Sequence, residues 1–409
     1  MAGILLASAV ATATLGHVLF RDPIVVMTGL RRWYEDMRGR SSPSSSPPPQ
    51  RPPLAALPPV YAARFDPQRI DLAEVLPDEA PVWRDLGQQF LRPRDDARGA
   101  CVATSLSADR LPQVARVLCE QAAAAGLQAD TVDPAQRWRG PNDGVAAIAT
   151  ALGLQPASQT LSALTAALNE GPPRLILIPA LHRAMLRAPG GAAAFITLMQ
   201  LILQTRGRVG WWLGAHAPAW QRLVRWVGID SVVSTVTAIE GLDDAALAEA
   251  LWSRHAAGER GLRILSASDG RPARVVKGAA DEPLRDWVRA ARTQAGPDLG
   301  RLCQHWLACA GLDEDSGEIH LSMPAPPDWP ALAPLPPRRR YALIEIMVHD
   351  GLRLEELAEL FVCARADMVA DAARLAASGL IDVVDDVLMP PRLRAARLAR
   401  QLSSLQALE

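Results

Sequence analysis

The chain has 409 residues, room for two or three domains, and 49% hydrophobic residues can fill their cores. Its formal net charge of -1 gives no basic bias, so composition lends nucleic-acid binding no support. Five scattered cysteines with no Cys-x-x-Cys, and His305 alone between Cys303 and Cys309, exclude a finger-like zinc site and read as buried free thiols.

Residues 1–20 carry no charged side chain and approach the roughly 20 apolar residues that span a bilayer as a helix. Arg21, Arg31, Arg32, Arg38 and Arg40 follow, with no basic residue before them. The positive-inside rule then predicts an anchor over residues 1–30, single-pass in the inner (cytoplasmic) membrane, with the main body in the cytoplasm. A cleaved signal peptide processed near Ala11-Thr12-Ala13 is the rival, although a basic n-region is missing; a peripheral helix is the third reading. Residues 31–79 read as a basic juxtamembrane segment and a Ser/Pro-rich linker, which cannot bury apolar surface.

From 80 to 240 short apolar runs alternate with helical ones. Strands are expected at 100–105, 127–132, 174–178, 209–213 and 232–239, with helices at 109–125, 145–152, 161–168 and 190–205. This alternation predicts an α/β domain with a mainly parallel sheet covered on both faces. Residues 241–323 read as a helical lid, 324–337 as a Pro-rich linker, and 338–409 as a winged helix domain. In that last domain, helices at 339–349, 354–361 and 366–378 precede a hairpin turning at Asp385-Asp386.

A P-loop needs glycines whose amides cradle phosphates, then a lysine and a Ser/Thr for magnesium. After its first strand this chain offers Thr104-Ser105-Leu106-Ser107-Ala108-Asp109-Arg110, with no glycine, no lysine and an acid where phosphates would lie. Arg110 is a poor substitute for a compact ammonium. The chain's single lysine, Lys277, lies far downstream without a glycine loop.

The run Leu175-Ile176-Leu177-Ile178, then Leu181-His182-Arg183 and Gly190-Gly191, resembles the bacterial AAA-like P-loop ATPases with a C-terminal winged helix. The resemblance continues through Val209-Gly210-Trp211-Trp212-Leu213, Ala219-Trp220, Leu242-Asp243 and Arg254-His255, over roughly residues 95–400. It implies a P-loop-NTPase-like sheet with flanking helices, a helical lid and a winged helix, in a degenerate form. Related proteins carry acids where Pro179 and Ala180 stand, and a polar sensor where Gly214 stands. Their lid helix often keeps a phosphate-sensing arginine; here Gly300 lies beside Arg301. With Ser107, Asp109 and Arg110, these positions make the expected site degenerate: no catalytic residue, no metal ligand and no cofactor.

His182, Arg183 and Arg254 are the candidate contacts for a partner or an anion, against the plainer reading that they cap a strand-to-helix turn and a helix end. Trp211, Trp212, Trp220 and Trp226 read as packing, since no basic patch interleaves them. In the third helix of the last domain Arg365 and Arg374 balance Asp367 and Asp371, and the hairpin adds Asp382, Asp385 and Asp386. Phosphate neutralisation needs a positive face, so protein contact is favoured over DNA, even with Arg392, Arg394, Arg397 and Arg400 following. The expected function is a membrane-tethered pseudo-ATPase acting as a protein-binding scaffold or accessory subunit. Its partner would be an active related ATPase or a membrane complex, and an oligomer is compatible with this. The alternatives are a divergent active ATPase and a winged-helix DNA-binding regulator.

Overall fold

A computed structural model describes residues 54–66, 100–105, 110–155, 159–205, 207–239, 242–266, 272–325, 332, 334–391 and 393–404. Leu54–Glu409 forms one unit; residues 1–53 lie outside the described residues. The single-pass inner-membrane placement is corrected here. Among the described residues no helix is long and apolar enough to cross a membrane. The segment 1–20 that prompted the expectation lies outside them.

The described chain starts with a helical turn, α1 (Pro59–Ala62), in a stretch expected to be linker. Tyr61 and Phe65, four residues apart, are both buried. Phe65 stacks on Trp306 with ring centroids 5.0 Å apart, and Trp306 Nε1 donates to the Tyr61 hydroxyl at 3.1 Å. That hydroxyl lies 2.9 Å from His255 Nδ1. Ala55 and Leu312 close an isolated antiparallel bridge beside this strap.

Five parallel strands follow: β1 (Ala100–Ser105), α2 (Arg110–Ala124), β2 (Gln128–Thr131), α3 (Asp143–Ala151), α4 (Leu161–Glu170) and β3 (Arg174–Ile178) come first. Next are α5 (Leu181–Ala184), α6 (Gly191–Thr205), β4 (Val209–His216), α7 (Ala217–Val227) and β5 (Val233–Ala238). The sheet order is β2-β3-β4-β1-β5, every pair parallel. Side chains alternate across a strand, and here the alternation divides two cores. Ile176, Ile178, Trp211 and Leu213 enter one cluster; Leu175, Leu177 and Trp212 enter the other. Adjacent tryptophans thus fill opposite faces. Each buries an area worth roughly 4–6 kcal/mol, as an upper bound.

The stretch expected to be a helical lid carries a second sheet as well as helices. In order it holds α8 (Asp244–Ala256), β6 (Leu262–Leu265), β7 (Pro272–Val276), α9 (Glu282–Ala295), α10 (Leu299–Cys309), β8 (Ala310–Leu312) and β9 (Ile319–Leu321). The strands pair as β7-β6-β9-β8, with β6 and β9 parallel. Strands of three to five residues give almost no periodic signal, so pairing between distant segments decides them.

The final unit has α11 (Pro337–Val348), β10 (Leu352–Arg353), α12 (Leu354–Phe361), α13 (Arg365–Ala377), β11 (Asp382–Val384), β12 (Val387–Met389) and α14 (Ala395–Ser404). Its strands form an antiparallel sheet ordered β10-β12-β11. Leu343, Ile346 and Leu398 of this unit belong to the same apolar cluster as Ile176 and Trp211 of the large sheet. The C-terminal unit therefore shares a core with one face of the body.

Candidate functional site

In parallel α/β sheets ligands gather outside the carboxyl ends of the strands. Here that edge is formed by Ser105 of β1, Ile178 of β3 and His216 of β4, with Ser105 and His216 in register. Of the expected phosphate-loop positions, Ser107 and Asp109 lie outside the described residues, and Arg110 is buried at the first position of α2. Pro179 and Ala180 are buried at the turn into α5. Gly214 lies inside β4, opposite Ala103, because the strand runs three residues past its expected end. A Cβ at 214 would sit 2.5 Å from the Pro179 carbonyl oxygen, so the two backbones leave no room for a side chain. That close approach gives Gly214 a packing reason to be glycine.

The expected pair His182 and Arg183 is split. Arg183 is exposed, whereas His182 is 1% exposed and turned inward. The amide of His216 donates to His182 Nδ1 at 3.3 Å. His182 Nε2 then carries the proton and faces Asp350 Oδ2 at 3.7 Å, an electrostatic pairing longer than a direct hydrogen bond. Arg254 stands apart in α8; its Nη1 donates to the Ala250 carbonyl one turn back at 3.0 Å.

Asp350 comes from the C-terminal unit, just past α11, in a left-handed conformation with φ 51°. Gly351 continues the turn at φ 110°, and its amide donates to the Ile346 carbonyl at 3.0 Å. This turn carries a carboxylate to the edge of the large sheet. Burial pushes the Asp350 carboxyl up, but His182, His216 and Arg301 together outweigh it and hold its pKa at about 2. Burial lowers His216 to about 4, with Asp350 opposing and His182 and Arg301 adding to the fall. His349 drops to about 3, through burial first and then the Arg137 charge, against its bond to the Glu345 carbonyl. Near neutral pH the cluster holds an ionised aspartate, and His216 and His349 are neutral.

Arg137 joins both sides of this seam. It donates to the carbonyls of His182 at 3.1 Å, Arg183 at 2.8 Å and Met185 at 3.3 Å, and to that of Gly351. Orphan carbonyls at a helix C-terminus attract a cation, and Arg137 serves α5 and the end of α11 at once. Its Nε lies 3.6 Å from Glu356 Oε1. Arg139 with Glu359 at 3.0 Å and Arg187 with Glu345 at 2.7 Å extend the seam. Neither Arg137 nor Asp350 stood out in the sequence; the carbonyl of His349 that Arg137 reaches is 212 residues away.

The carboxylate of Asp371, counted above toward the outer charge of α13, is buried between Arg338 and Arg339 of α11. Arg365 pairs with Glu355 at 2.6 Å. The outer face is thus left with Arg374 against Asp367, beside the hairpin acids.

No family model matches the chain, and no curated protein matches it. Solved structures do. The ORC2 protein of Aeropyrum pernix, in ADPNP-ADP complexes, is 15% identical over 84% of this chain and 98% of that one, with a TM-score of 0.49. The Walker-type ATPase of Pyrococcus abyssi is 12% identical over 79% and 95%, with a TM-score of 0.40. Drosophila ORC bound to DNA is 14% identical over 91% and 99%, with a TM-score of 0.38. All three scores lie below 0.5, so no residue role transfers from them.

Proposed function

We propose that this chain is a catalytically inactive P-loop-ATPase-like protein that works by binding another protein. The observation that carries the reading is Asp350, whose ionised carboxylate lies at the carboxyl ends of β3 and β4 among His182, His216 and Arg301. A phosphate brought there meets a like charge; at 4 Å and an effective dielectric of 20 each such pair costs about 4 kcal/mol. The residues present fit neither a nucleotide phosphate nor its magnesium ion. Pro179 and Ala180 offer no carboxylate, and position 214 has no space for a polar side chain. Lys277, the single lysine, directly follows β7 of the second sheet, and its amide donates to Asp281 Oδ2 at 2.6 Å.

The C-terminal unit is read as a winged helix used for protein contact. On its outer surface a concavity brings exposed Val369 and Val383 together with Asp385 and Asp386 of the hairpin tip, and with Arg353, Glu355 and Arg365. Its two arginines are outnumbered by three carboxylates, so it lacks the net positive charge that a phosphate backbone requires.

Calorimetry with ATP and magnesium on the full chain tests the reading. No binding heat and no phosphate release are expected. Magnesium-dependent binding accompanied by turnover would overturn it, as would activity gained on placing acids at Pro179 and Ala180.

A further inference from the structure

The body and the C-terminal unit enclose a cleft of about 420 Å³, lined by Arg187 and Arg222 on one side and Tyr341, Glu345, Leu360 and Phe361 on the other. Small-molecule sites have this size, favour seams between packed units, and combine apolar walls with few polar groups. The apolar wall is firmly held, since Leu360 and Phe361 pack against the main core.

The polar side is out of balance. Glu345 gives its Oε1 to Arg187 at 2.7 Å. Its Oε2 is buried without a hydrogen bond among the described residues, because His349 Nδ1 donates to the Glu345 main-chain carbonyl at 2.8 Å. Two guanidinium groups still face this one carboxylate. Arg222 on α7 makes no hydrogen bond or ion pair with the described residues. Burial, and then the repulsion of Arg187 and Arg225, pull its pKa down, with Glu345 opposing. Half-buried guanidinium groups crowded in this way are stabilised by an added negative charge.

We propose that this cleft binds a small amphiphilic anion, an aryl or alkyl carboxylate or phosphate, with its charged end on Arg222 and its apolar end against Tyr341, Leu360 and Phe361. A guanidinium fork takes either headgroup in a bidentate fashion. One wall is α7 with Arg187 from the connection between α5 and α6, and the other is α11–α12, so a ligand bound across them stabilises the folded arrangement by mass action.

The test is calorimetry and thermal melting of the full chain with benzoate, phenyl phosphate and inorganic phosphate as probes. At least one aryl anion is expected to bind with a dissociation constant of about 1 mM or tighter and to raise the melting temperature. The stronger of the two identifies the headgroup, and inorganic phosphate is expected to bind at least ~10-fold more weakly. Arg222→Gln should lose most of the affinity and Arg222→Lys should recover part of it. Should Arg222→Gln fail to fold, Tyr341→Ala at an exposed position carries the test, weakening the aryl anions and leaving inorganic phosphate unchanged. Failure of both aryl anions to bind, equal binding of inorganic phosphate, or full affinity in the folded variants would overturn the proposal.

Discussion

Two contacts hold distant segments onto this protein, and aromatic packing leads in one where charge leads in the other. The strap carrying Tyr61 and Phe65 is held by aromatic rings: Phe65 stacks on Trp306, and Tyr61 shares its hydroxyl with Trp306 and His255. The seam between body and C-terminal unit, at the sheet edge, is held by charges and carbonyls around Arg137, His182 and Asp350. Apolar burial is non-directional and tolerates small shifts. A buried ionic network demands geometry, and losing one member strands the others. The strap should therefore fail gradually and the seam abruptly.

Arg137→Ala attacks that contrast hardest. It leaves Glu356 and several carbonyls without their cation, at an expected cost of about 3–5 kcal/mol in urea unfolding. Loosening should concentrate in 337–404, read as faster amide exchange there; an even change over the whole chain would argue against a distinct seam. Phe65→Ala empties a stacked site in the strap and should cost about 3 kcal/mol. Its effect should depend little on pH between 5 and 8, since the lost contact is apolar.

The third test uses acid. His216 has a folded pKa of about 4 and His349 of about 3, both below the ordinary 6.5. A base depressed by folding contributes stability that is complete above 6.5 and is lost as pH falls toward the folded value. Asp350, held at about 2 against 3.8, adds a further loss below 3.8. Unfolding free energy should thus decline from pH 6.5 downward, by up to about 1.4 kcal/mol per pH unit for each histidine still titrating. His255 in the strap is also depressed by burial, so wild type alone does not separate the two contacts. His216→Asn should make the profile between 6.5 and 4 less steep by up to about 1.4 kcal/mol per pH unit, with His349, His255 and His305 still titrating; an unchanged slope would place the acid response elsewhere. The smallest effect is expected from Arg139→Gln. Its pair with Glu359 is half-exposed, and salt should erase most of a difference of about 0–1 kcal/mol.

The sequence was most readable where burial is continuous. β1 and β3 lie at their expected residues, since each holds four consecutive apolar residues, at 100–103 and 175–178, which suit a strand covered on both faces. β4 was read three residues short. Gly214-Ala215-His216 has weak strand character, yet β1 supplies partners as far as His216. The strap was hidden by the proline-rich composition before it, although Tyr61 and Phe65 recur at helical spacing and hint at a buried turn. His182 could be singled out because it follows the strongest strand. Its partner could not, because an Asp-Gly after a helix reads as an ordinary stop until the chain has folded.

The contact between Gly214 and Pro179 restricts the mutational paths open to this protein. A side chain at 214 meets a backbone oxygen, which cannot rotate aside as a flexible side chain would. Exchanging the side chain at 179 leaves that oxygen in place, so residue 214 stays glycine unless the backbone of the turn itself moves. Asp350 stands at the same edge, and the run from Thr104 to Arg110 has neither glycine nor lysine, so no single substitution turns this edge into a phosphate site. Selection acting one substitution at a time has a long detour to make.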